Sequence, residues 1–576
     1  MRKSLFIFCP LLFGSICVIL VKSNNKASIS DLEYETKVSN SIGCAPGTDE
    51  NVYAGEGGKF ITVLPGWGNH SYRITTQNDS AQIYFNQGLS MYYSYHAREA
   101  IASFKEAAKF DSSCAMVYWG LALAMGPSYN FGYGYKWNKQ IPGVIEMMNR
   151  NAEHATPKER DLIHAMGRRY DLADTSNKKR NELNINYAAA LQPLIAKYPN
   201  DFDMKALYTD AVMLIHAWDF WNNDGTPKSW TPELVQLCKD ILEHDPHHPA
   251  GLHYYIHVTE ASRKPEVALA SADSLIKLFP GVAHMVHMSS HEYERMGYYA
   301  KGVMANEAAD RSLAVYDSLA KGLFTSVHVP HYYAVDAYCA LSGAMYKEAL
   351  PKAMACRNMV KPTHEDIYPQ YQYMFPLFAM IRMGKWQEIL LDASSISPKW
   401  TYAGILNDFA KGMAYTKTGN HADAEKHLKQ LQEKKKETIL RTRFAPYMSS
   451  PYECTIVAEN ILIANIFYNQ KKYDKAITAI KNAILAEDSL IYTEPKIWML
   501  PARQYLGAFL LKLNKPKEAE KVYRDDLLWN PGNGWSLLGL YQSLEAQGKS
   551  QELKNIKALY MQSFSKADQL PSVSAY

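Results

Sequence analysis

An internal repeat constrains the fold of this chain more than any other feature of its sequence. Tyr84 and Gly88 recur 34 residues later, in the same register, as Tyr118 and Ala122. Three later copies, anchored at Gly412, Ala464 and Gly507, have the same internal spacing between their landmark residues as the first copy. A chain of 576 residues is long enough for several globular domains, but a repeat of this period favours one extended array of two-helix units.

Each copy places small and large residues at fixed positions along two helices. Phe104 and Ala107 follow in the first copy, and Tyr523 and Pro531 follow in a late one. Small residues let the two helices approach closely, and large residues fill the gap to the next unit. This pattern resembles the tetratricopeptide repeat over roughly residues 81–555. The resemblance implies an all-α tetratricopeptide-repeat helical solenoid, preceded by a short irregular cap.

The N-terminus has the pattern of a secretory signal peptide. Arg2 and Lys3 supply positive charge, residues 5–21 are almost wholly apolar, and Val21 and Ser23 are small residues before a cleavage point. We therefore expect an exported protein, periplasmic or extracellular. An uncleaved membrane anchor is the alternative, because the apolar run is near the lower limit for spanning a bilayer. We expect no other membrane segment, because no second run of this kind follows.

The sequence divides into five predicted segments. They are a signal peptide (1–23), a linker and irregular cap (24–80), N-terminal repeats with an aromatic insertion (81–245), central histidine-rich repeats (246–360) and C-terminal repeats (361–576). The cap contains strand-like runs at 60–64 and 72–76. The aromatic loop spans Trp218–Trp230, and a long connection is expected around residues 316–330.

The charge distribution gives no sign of a polyanionic partner. The formal net charge is +4, and no long basic or acidic block stands out. We therefore expect neither nucleic acid nor an anionic membrane surface as a partner. The expected partner is a small molecule or peptide in the concave groove, with a protein partner as a further candidate.

Histidines are concentrated in the middle of the chain, where eight of the 18 fall between residues 244 and 291. The tetratricopeptide resemblance supplies a positional test for them. In that repeat, the first helix faces inward at positions 18, 15, 11 and 8 residues before a landmark small residue of the second helix. With landmarks at Ala268, Gly302 and Ala349, the inward positions include His253, His257, Glu260, His284, His287, His291 and His331.

Helix geometry supports this convergence independently. At about 100° per residue, His253, His257 and Glu260 span an arc of about 60° on one helix face. First helices of neighbouring repeats pack about 10 Å apart, so imidazoles from two of them can meet. The same offsets before Ala424 give Leu406, Phe409, Met413 and Thr416, with no histidine. The cluster is therefore specific to the central repeats.

Histidines at i and i+4 near a carboxylate are suitable ligands for copper, zinc or iron. The predicted metal ligands are His253, His257, His284, His287 and His291, with Glu260 and His331 as further ligands or acid/base groups. These imidazoles outnumber the four ligands of one tetrahedral metal site. Either two ions bind, or some of the histidines orient the ligands instead of binding metal. An exported location favours copper or zinc, with iron ranked after them.

Two functions remain open at this stage. In the first, the central groove binds a transition metal that activates water or dioxygen, or that polarises a substrate under the aromatic loop. Exported bacterial repeat proteins with segments like His253-Tyr-Tyr-Ile-His257 are similar to this chain, but that similarity implies no activity. In the second, a non-catalytic scaffold binds a peptide or extracytoplasmic protein, and the histidines only donate hydrogen bonds.

Overall fold

The computed structural model describes residues 52–131, 135–320 and 330–576, all of which belong to one compact unit. The predicted signal peptide lies outside the described residues. Within the described ranges the regular structure is helical, and the β-pairing is limited to an isolated bridge between Trp221 and Pro227. None of the helices in these ranges combines the length and apolarity that crossing a bilayer requires.

The helices follow one another with short connections. In chain order they are α1 (Asp79–Tyr93), α2 (Ala97–Phe110), α3 (Ala115–Ala124), α4 (Ile141–Arg150), α5 (Pro157–Gly167), α6 (Arg180–Lys197), α7 (Phe202–Ile215), α8 (Thr231–His244), α9 (Pro249–Thr259), α10 (Leu269–Leu278), α11 (Ala283–Arg295), α12 (Tyr299–Ala320), α13 (Pro330–Ser342), α14 (Tyr346–Met359), α15 (Tyr368–Tyr373), α16 (Phe375–Arg382), α17 (Trp386–Leu391), α18 (Thr401–Thr418), α19 (His421–Lys434), α20 (Pro451–Asn469), α21 (Tyr473–Asp488), α22 (Ala502–Lys512), α23 (Pro516–Trp529), α24 (Gly534–Glu545) and α25 (Ser550–Ser563). Helix α12 continues through Ala320, and the rest of the connection predicted around 316–330 lies outside the described residues up to the start of α13.

Glycines and aromatic residues set the spacing between helices. The Phe104 ring on α2 packs between Gly88 of α1 and Gly120 of α3, where an added Cβ would lie 2.7 and 2.5 Å from the ring. Tyr523 on α23 packs in the same way between glycines of α22 and α24. A second helix therefore contacts the first helix of its own repeat and that of the next. The predicted all-α tetratricopeptide-repeat solenoid is confirmed.

The N-terminal cap is irregular, as predicted, but its two strand-like runs are not strands. Several of their backbone N–H groups bond to helix side chains, most of them on α1, instead of to a neighbouring strand. Leu64 N–H donates to Gln87 Oε1 at 2.7 Å. Tyr72 N–H donates to Asn86 Oδ1 at 3.2 Å. Side chains thus satisfy the donors that a sheet would otherwise pair.

Two large hydrophobic cores meet at the central repeats. One is built from residues between 52 and 316, and the other from residues between 299 and 575. C-terminal residues also contact the central region directly. The Arg263 guanidinium lies 3.6 Å from the ring centroid of Trp529, and Arg295 Nη1 donates to the Trp529 carbonyl at 3.2 Å. The central repeats are therefore buried on the side where an open groove was expected.

Candidate metal centre

Six imidazoles and one carboxylate meet in the interior, carried by three first helices. Helix α9 supplies two histidines and is followed directly by Glu260, α11 supplies three histidines, and α13 supplies one near its N-terminus. All seven are at most 3% exposed: His253, His257, Glu260, His284, His287, His291 and His331. The helix register thus brings every predicted site residue together, in a closed interior rather than on an open surface.

The imidazoles divide into two groups of three. The first triad is His253, His257 and His284, and the second triad is His287, His291 and His331. Within each triad one ring nitrogen from every histidine lies within 4.8 Å of the others. The rings of His284 and His287, one from each triad, have centroids 6.2 Å apart.

In the first triad, the nitrogens that converge are the Nε2 atoms. His253 Nε2 lies 3.1 Å from His257 Nε2 and 3.0 Å from His284 Nε2. His253 Nδ1 lies 2.7 Å from the carbonyl oxygen of Tyr93. Because a carbonyl oxygen can only accept, Nδ1 carries the proton of the neutral ring, and the Nε2 lone pair points into the triad.

The second triad is anchored in a similar way. His287 Nε2 lies 2.9 Å from His291 Nε2, and His287 Nδ1 lies 2.6 Å from Asn306 Oδ1. The Asn306 amide group is itself oriented, because its Nδ2 donates to the carbonyl of Gly302 at 2.9 Å. Asn306 Oδ1 is therefore the acceptor for His287 Nδ1–H, and the His287 Nε2 lone pair points toward His291. His331 completes the triad, with its ring centroid 5.0 Å from that of His287.

Glu260 links the two triads through both of its carboxylate oxygens. Its Oε1 lies 3.1 Å from His257 Nδ1, and its Oε2 lies 3.0 Å from His291 Nδ1. Burial raises the pKa of Glu260, while His291 and Arg295 lower it. In its ionised form the carboxylate accepts from both Nδ1–H groups and turns both Nε2 lone pairs into the triads.

With Glu260 ionised, each triad brings hydrogen-bond acceptors face to face. Two imidazole lone pairs separated by about 3 Å cannot form a hydrogen bond with one another, and they repel. A cation between them reverses the sign of this interaction. In a tetrahedral zinc site with Zn–N bonds of 2.0–2.1 Å, ligand nitrogens are about 3.3 Å apart, close to the observed separations.

Burial keeps these imidazoles neutral, which is the form that binds metal. Burial lowers the pKa of His257 and of His331 to about 3. It also lowers the pKa values of His253, His284 and His287 well below the usual value, with neighbouring imidazoles adding to the effect. A proton is therefore a poor substitute for a metal ion between the facing nitrogens.

A third group with similar spacing has the opposite proton arrangement. His70, Asp203 and His248 lie at the floor of an open cavity of about 820 Å³ in the N-terminal repeats. His248 Nδ1 accepts the N–H of Gly251 at 3.3 Å, so its Nε2 carries the proton and faces Asp203. Asp203 also accepts from Tyr93 Oη–H at 2.9 Å. This group is arranged as donors around one carboxylate, whereas the triads are acceptors around a centre.

Aromatic rings cover the first triad. The Tyr95 ring centroid lies 4.6 Å from that of His253, and the Tyr129 centroid lies 4.9 Å from that of His257. Trp218, from the predicted aromatic loop, stacks on Tyr129 at 4.5 Å and on Tyr447 of the C-terminal half at 4.1 Å. The loop therefore lies over the site, and it spans the two halves of the molecule.

Further carboxylates lie near Glu260. Glu260, His291 and Glu494 form another group whose possible ligand atoms lie within 4.8 Å of one another. Burial raises the pKa of Glu294 to about 8 and that of Glu494 well above the usual range. Burial also lowers the pKa of Lys496 to about 8. Burial therefore disfavours the charged forms of these side chains, and a cation in either triad would favour the ionised carboxylates.

Two of the groups that orient the site were not found from the sequence: the Tyr93 carbonyl and Asn306. The Tyr93 contribution is a backbone carbonyl, which no residue pattern reveals. Asn306 lies on α12, facing α11, and its position could have been derived from helix pairing. His96 also supports the site, since its Nε2 accepts the N–H of His284 at 3.4 Å.

Comparison with known proteins bears on the fold alone. A human IFIT1 dimer with m7Gppp-AAAA is 12% identical over 86% of this chain and 92% of its own, with a TM-score of 0.31. Yeast Tom70 is 11% identical over 84% of this chain and 92% of its own, with a TM-score of 0.27. The APC/C hetero-tetramer Cut9–Hcn1 is 12% identical over 85% of this chain and 76% of that one, with a TM-score of 0.27.

The sequence matches no family model and no curated protein. The three structures are helical proteins of similar extent, but the overlaps are low. The fold assignment therefore rests on the helix and glycine packing described above. The resemblance to exported bacterial repeat proteins stays a prediction.

Proposed function

We propose that this protein is a helical-repeat scaffold built around a paired transition-metal centre, with one ion in each triad. The observation that carries the proposal is the facing of oriented Nε2 lone pairs. His253 and His257 face each other at 3.1 Å, and His287 and His291 face each other at 2.9 Å. A cation in each triad converts this repulsion into coordination, and three imidazoles leave a coordination position for a further ligand.

The donor set favours copper or zinc. All six ligands are neutral imidazoles, which suit both metals, and affinity at nitrogen sites is highest for copper among the common divalent ions. The first three ligands of each ion come from two different helices, so neither site can form before the repeats pack. Iron ranks below these two, because no carboxylate oxygen points into either triad among the described residues.

The surrounding residues support chemistry at the bound ions. A metal ion here can activate water or dioxygen, or polarise a substrate. The rings of Tyr95, Tyr129 and Trp218 exclude bulk water from the first triad, which strengthens electrostatic interactions inside it. The proposed setting is extracytoplasmic, on the basis of residues 1–23, which lie outside the described ranges.

Metal content tests the proposal directly. Wild-type protein purified without a polyhistidine tag is reconstituted with copper or zinc and analysed by elemental mass spectrometry. We expect two ions per chain. We expect one ion in His253→Ala/His284→Ala and one in His287→Ala/His331→Ala, because each double variant destroys one triad.

The third histidine group provides a matched control. His70→Ala/His248→Ala removes two clustered, buried imidazoles whose proton arrangement does not suit a metal, and it should still bind two ions. Circular dichroism shows whether each variant is folded. A folded wild-type protein that retains no copper or zinc after reconstitution refutes the proposal.

The second candidate is a non-catalytic scaffold for a peptide or protein partner. Its specific support is the open cavity of the N-terminal repeats, which is lined by Tyr72, Lys158, Lys197 and His247 and is separate from the closed triads. The metal measurement distinguishes the two candidates. A metal-free protein whose triad variants fold and behave like wild type would leave partner binding as the function.

A further inference from the structure

Glu260 is a buried carboxylate that bonds to a histidine of each triad. It is 2% exposed. One of its oxygens bonds Nδ1 of His257 in the first triad, and the other bonds Nδ1 of His291 in the second triad. In both rings the other nitrogen, Nε2, is the one that points into the triad. We infer that Glu260 is not a metal ligand or an acid/base group but a positioning residue that sets the tautomers of both centres at once. This inference rests on the proposed metal sites and deepens them.

The geometry excludes Glu260 from the first coordination sphere of either ion. Its oxygens contact Nδ1 of His257 and Nδ1 of His291, whereas the ions would lie on the Nε2 side of both rings. A neutral imidazole has one N–H and one lone pair. Holding the proton on Nδ1 therefore makes Nε2 available for the metal, and Glu260 does this for one ligand of each triad.

Other histidines have their own anchors. His253 Nδ1–H is held by the Tyr93 carbonyl, and His287 Nδ1–H is held by Asn306. His257 and His291 rely on Glu260 for theirs. One carboxylate therefore couples two centres that share no ligand, because it must accept from both sides simultaneously.

Replacing Glu260 with glutamine tests this positioning role. Glutamine keeps the shape of the side chain but has one accepting oxygen and one donating NH₂ group. The NH₂ group must face either His257 or His291, and that imidazole must then accept at Nδ1. Its proton moves to Nε2, where it points into the triad and blocks the metal. Glu260→Gln should therefore impair one centre and leave the other intact.

Glu294 supplies the matched control for a Glu-to-Gln replacement at a buried site. It is a buried glutamate on the same helix as His291, it is 5% exposed, and among the described residues it forms no hydrogen bond or ion pair with a histidine of either triad. Glu294→Gln makes the same replacement in the same neighbourhood without changing any ligand's tautomer. It should bind two ions, as the wild type does.

The experiment is a metal titration of the full chain with zinc against a chromophoric chelator. We expect two tight sites in the wild type and in Glu294→Gln. In Glu260→Gln we expect one unchanged site and one whose dissociation constant rises about 10–100-fold, the usual effect of removing a group that orients a ligand. Two unchanged sites in Glu260→Gln, or the loss of both with Glu294→Gln intact, would overturn the inference.

Tautomers can also be read directly, in case Glu260→Gln does not fold. Long-range ¹⁵N–¹H spectra of the zinc-loaded wild-type protein distinguish Nδ1–H from Nε2–H rings. We expect His257 and His291 both to carry the proton on Nδ1. A proton on Nε2 of either ring refutes the positioning role, whereas a wild-type protein with no zinc at all refutes the proposed metal sites themselves.

Discussion

Helices α11 and α18 occupy the same place in their repeats and differ in chemistry. At matching positions α11 has His284, His287 and His291, and α18 has Leu406, Phe409 and Met413. All six side chains are at most 2% exposed. The repeat thus provides burial at these positions irrespective of which side chain it buries.

The side chains of α11 and α18 differ in the free energy of burying them. Apolar side chains at these positions stabilise the fold by about 1.5–3 kcal/mol each. A buried polar group without a good partner costs about 1–3 kcal/mol instead. On the proposed function, the C-terminal repeats therefore gain stability from the positions at which the central repeats need a metal ion. This comparison can be tested by removing the metal, by altering one region at a time, and by changing the groups that orient the ligands.

The largest effect should come from metal removal. Each ion present at 1,000 times its dissociation constant stabilises the folded state by about 4 kcal/mol. Chelation should therefore greatly lower hydrogen-exchange protection in α9, α11 and α13 and leave α18 and α20 nearly unchanged. An equal loss of protection in both regions would show that the central repeats do not depend specifically on metal.

The second-largest effect is expected from a cavity in α18, which has no clustered histidines. Phe409→Ala should cost about 3–5 kcal/mol, because a large buried ring is deleted from a packed core. This cost should be the same with and without chelator. His287→Leu should destabilise the metal-loaded protein but not the chelated one, as measured by local hydrogen exchange. A Phe409→Ala effect that changes with chelator would contradict the separation of the two regions.

A smaller effect is expected at Asn306, which anchors one ligand of the second triad. Asn306→Leu removes the acceptor for His287 Nδ1–H and should weaken one zinc site about 10–100-fold. Asn306→Asp keeps an accepting oxygen in place and should retain most of the affinity. Competition with a chelator measures both constants. Equal zinc affinity in Asn306→Leu and wild type would show that Asn306 does not anchor His287.

The repeat register explains how much of this site could be predicted. The inward positions that the tetratricopeptide resemblance implies identified the seven clustered residues without coordinates. The landmarks Ala268, Gly302 and Ala349 were sufficient for this. Met285 and Met288, which lie between these inward positions on α11, are fully buried in the hydrophobic core.

The division into two triads could not be obtained in the same way. It depends on the relative rotation of α9, α11 and α13, which small differences in helix packing determine. The burial of the groove depends on contacts such as Trp218 with Tyr447, which are far apart in the sequence. Repeat patterns describe neighbouring units, and they carry little information about contacts between distant ones.

The smallest effect is expected at His427, and it tests which feature defines the site. His427 Nδ1 lies 2.8 Å from Asp408 Oδ1, the same kind of imidazole–carboxylate pair that Glu260 makes. Asp408 also has Lys434 as a partner, so His427→Ala should cost no more than about 1 kcal/mol. Metal content should not change, because His427 belongs to no group of three possible metal ligands among the described residues. If this variant lost an ion, a single imidazole–carboxylate pair would be enough to bind metal here. Two bound ions would instead identify the convergence of oriented Nε2 atoms as the feature that separates the central repeats from the rest of the solenoid.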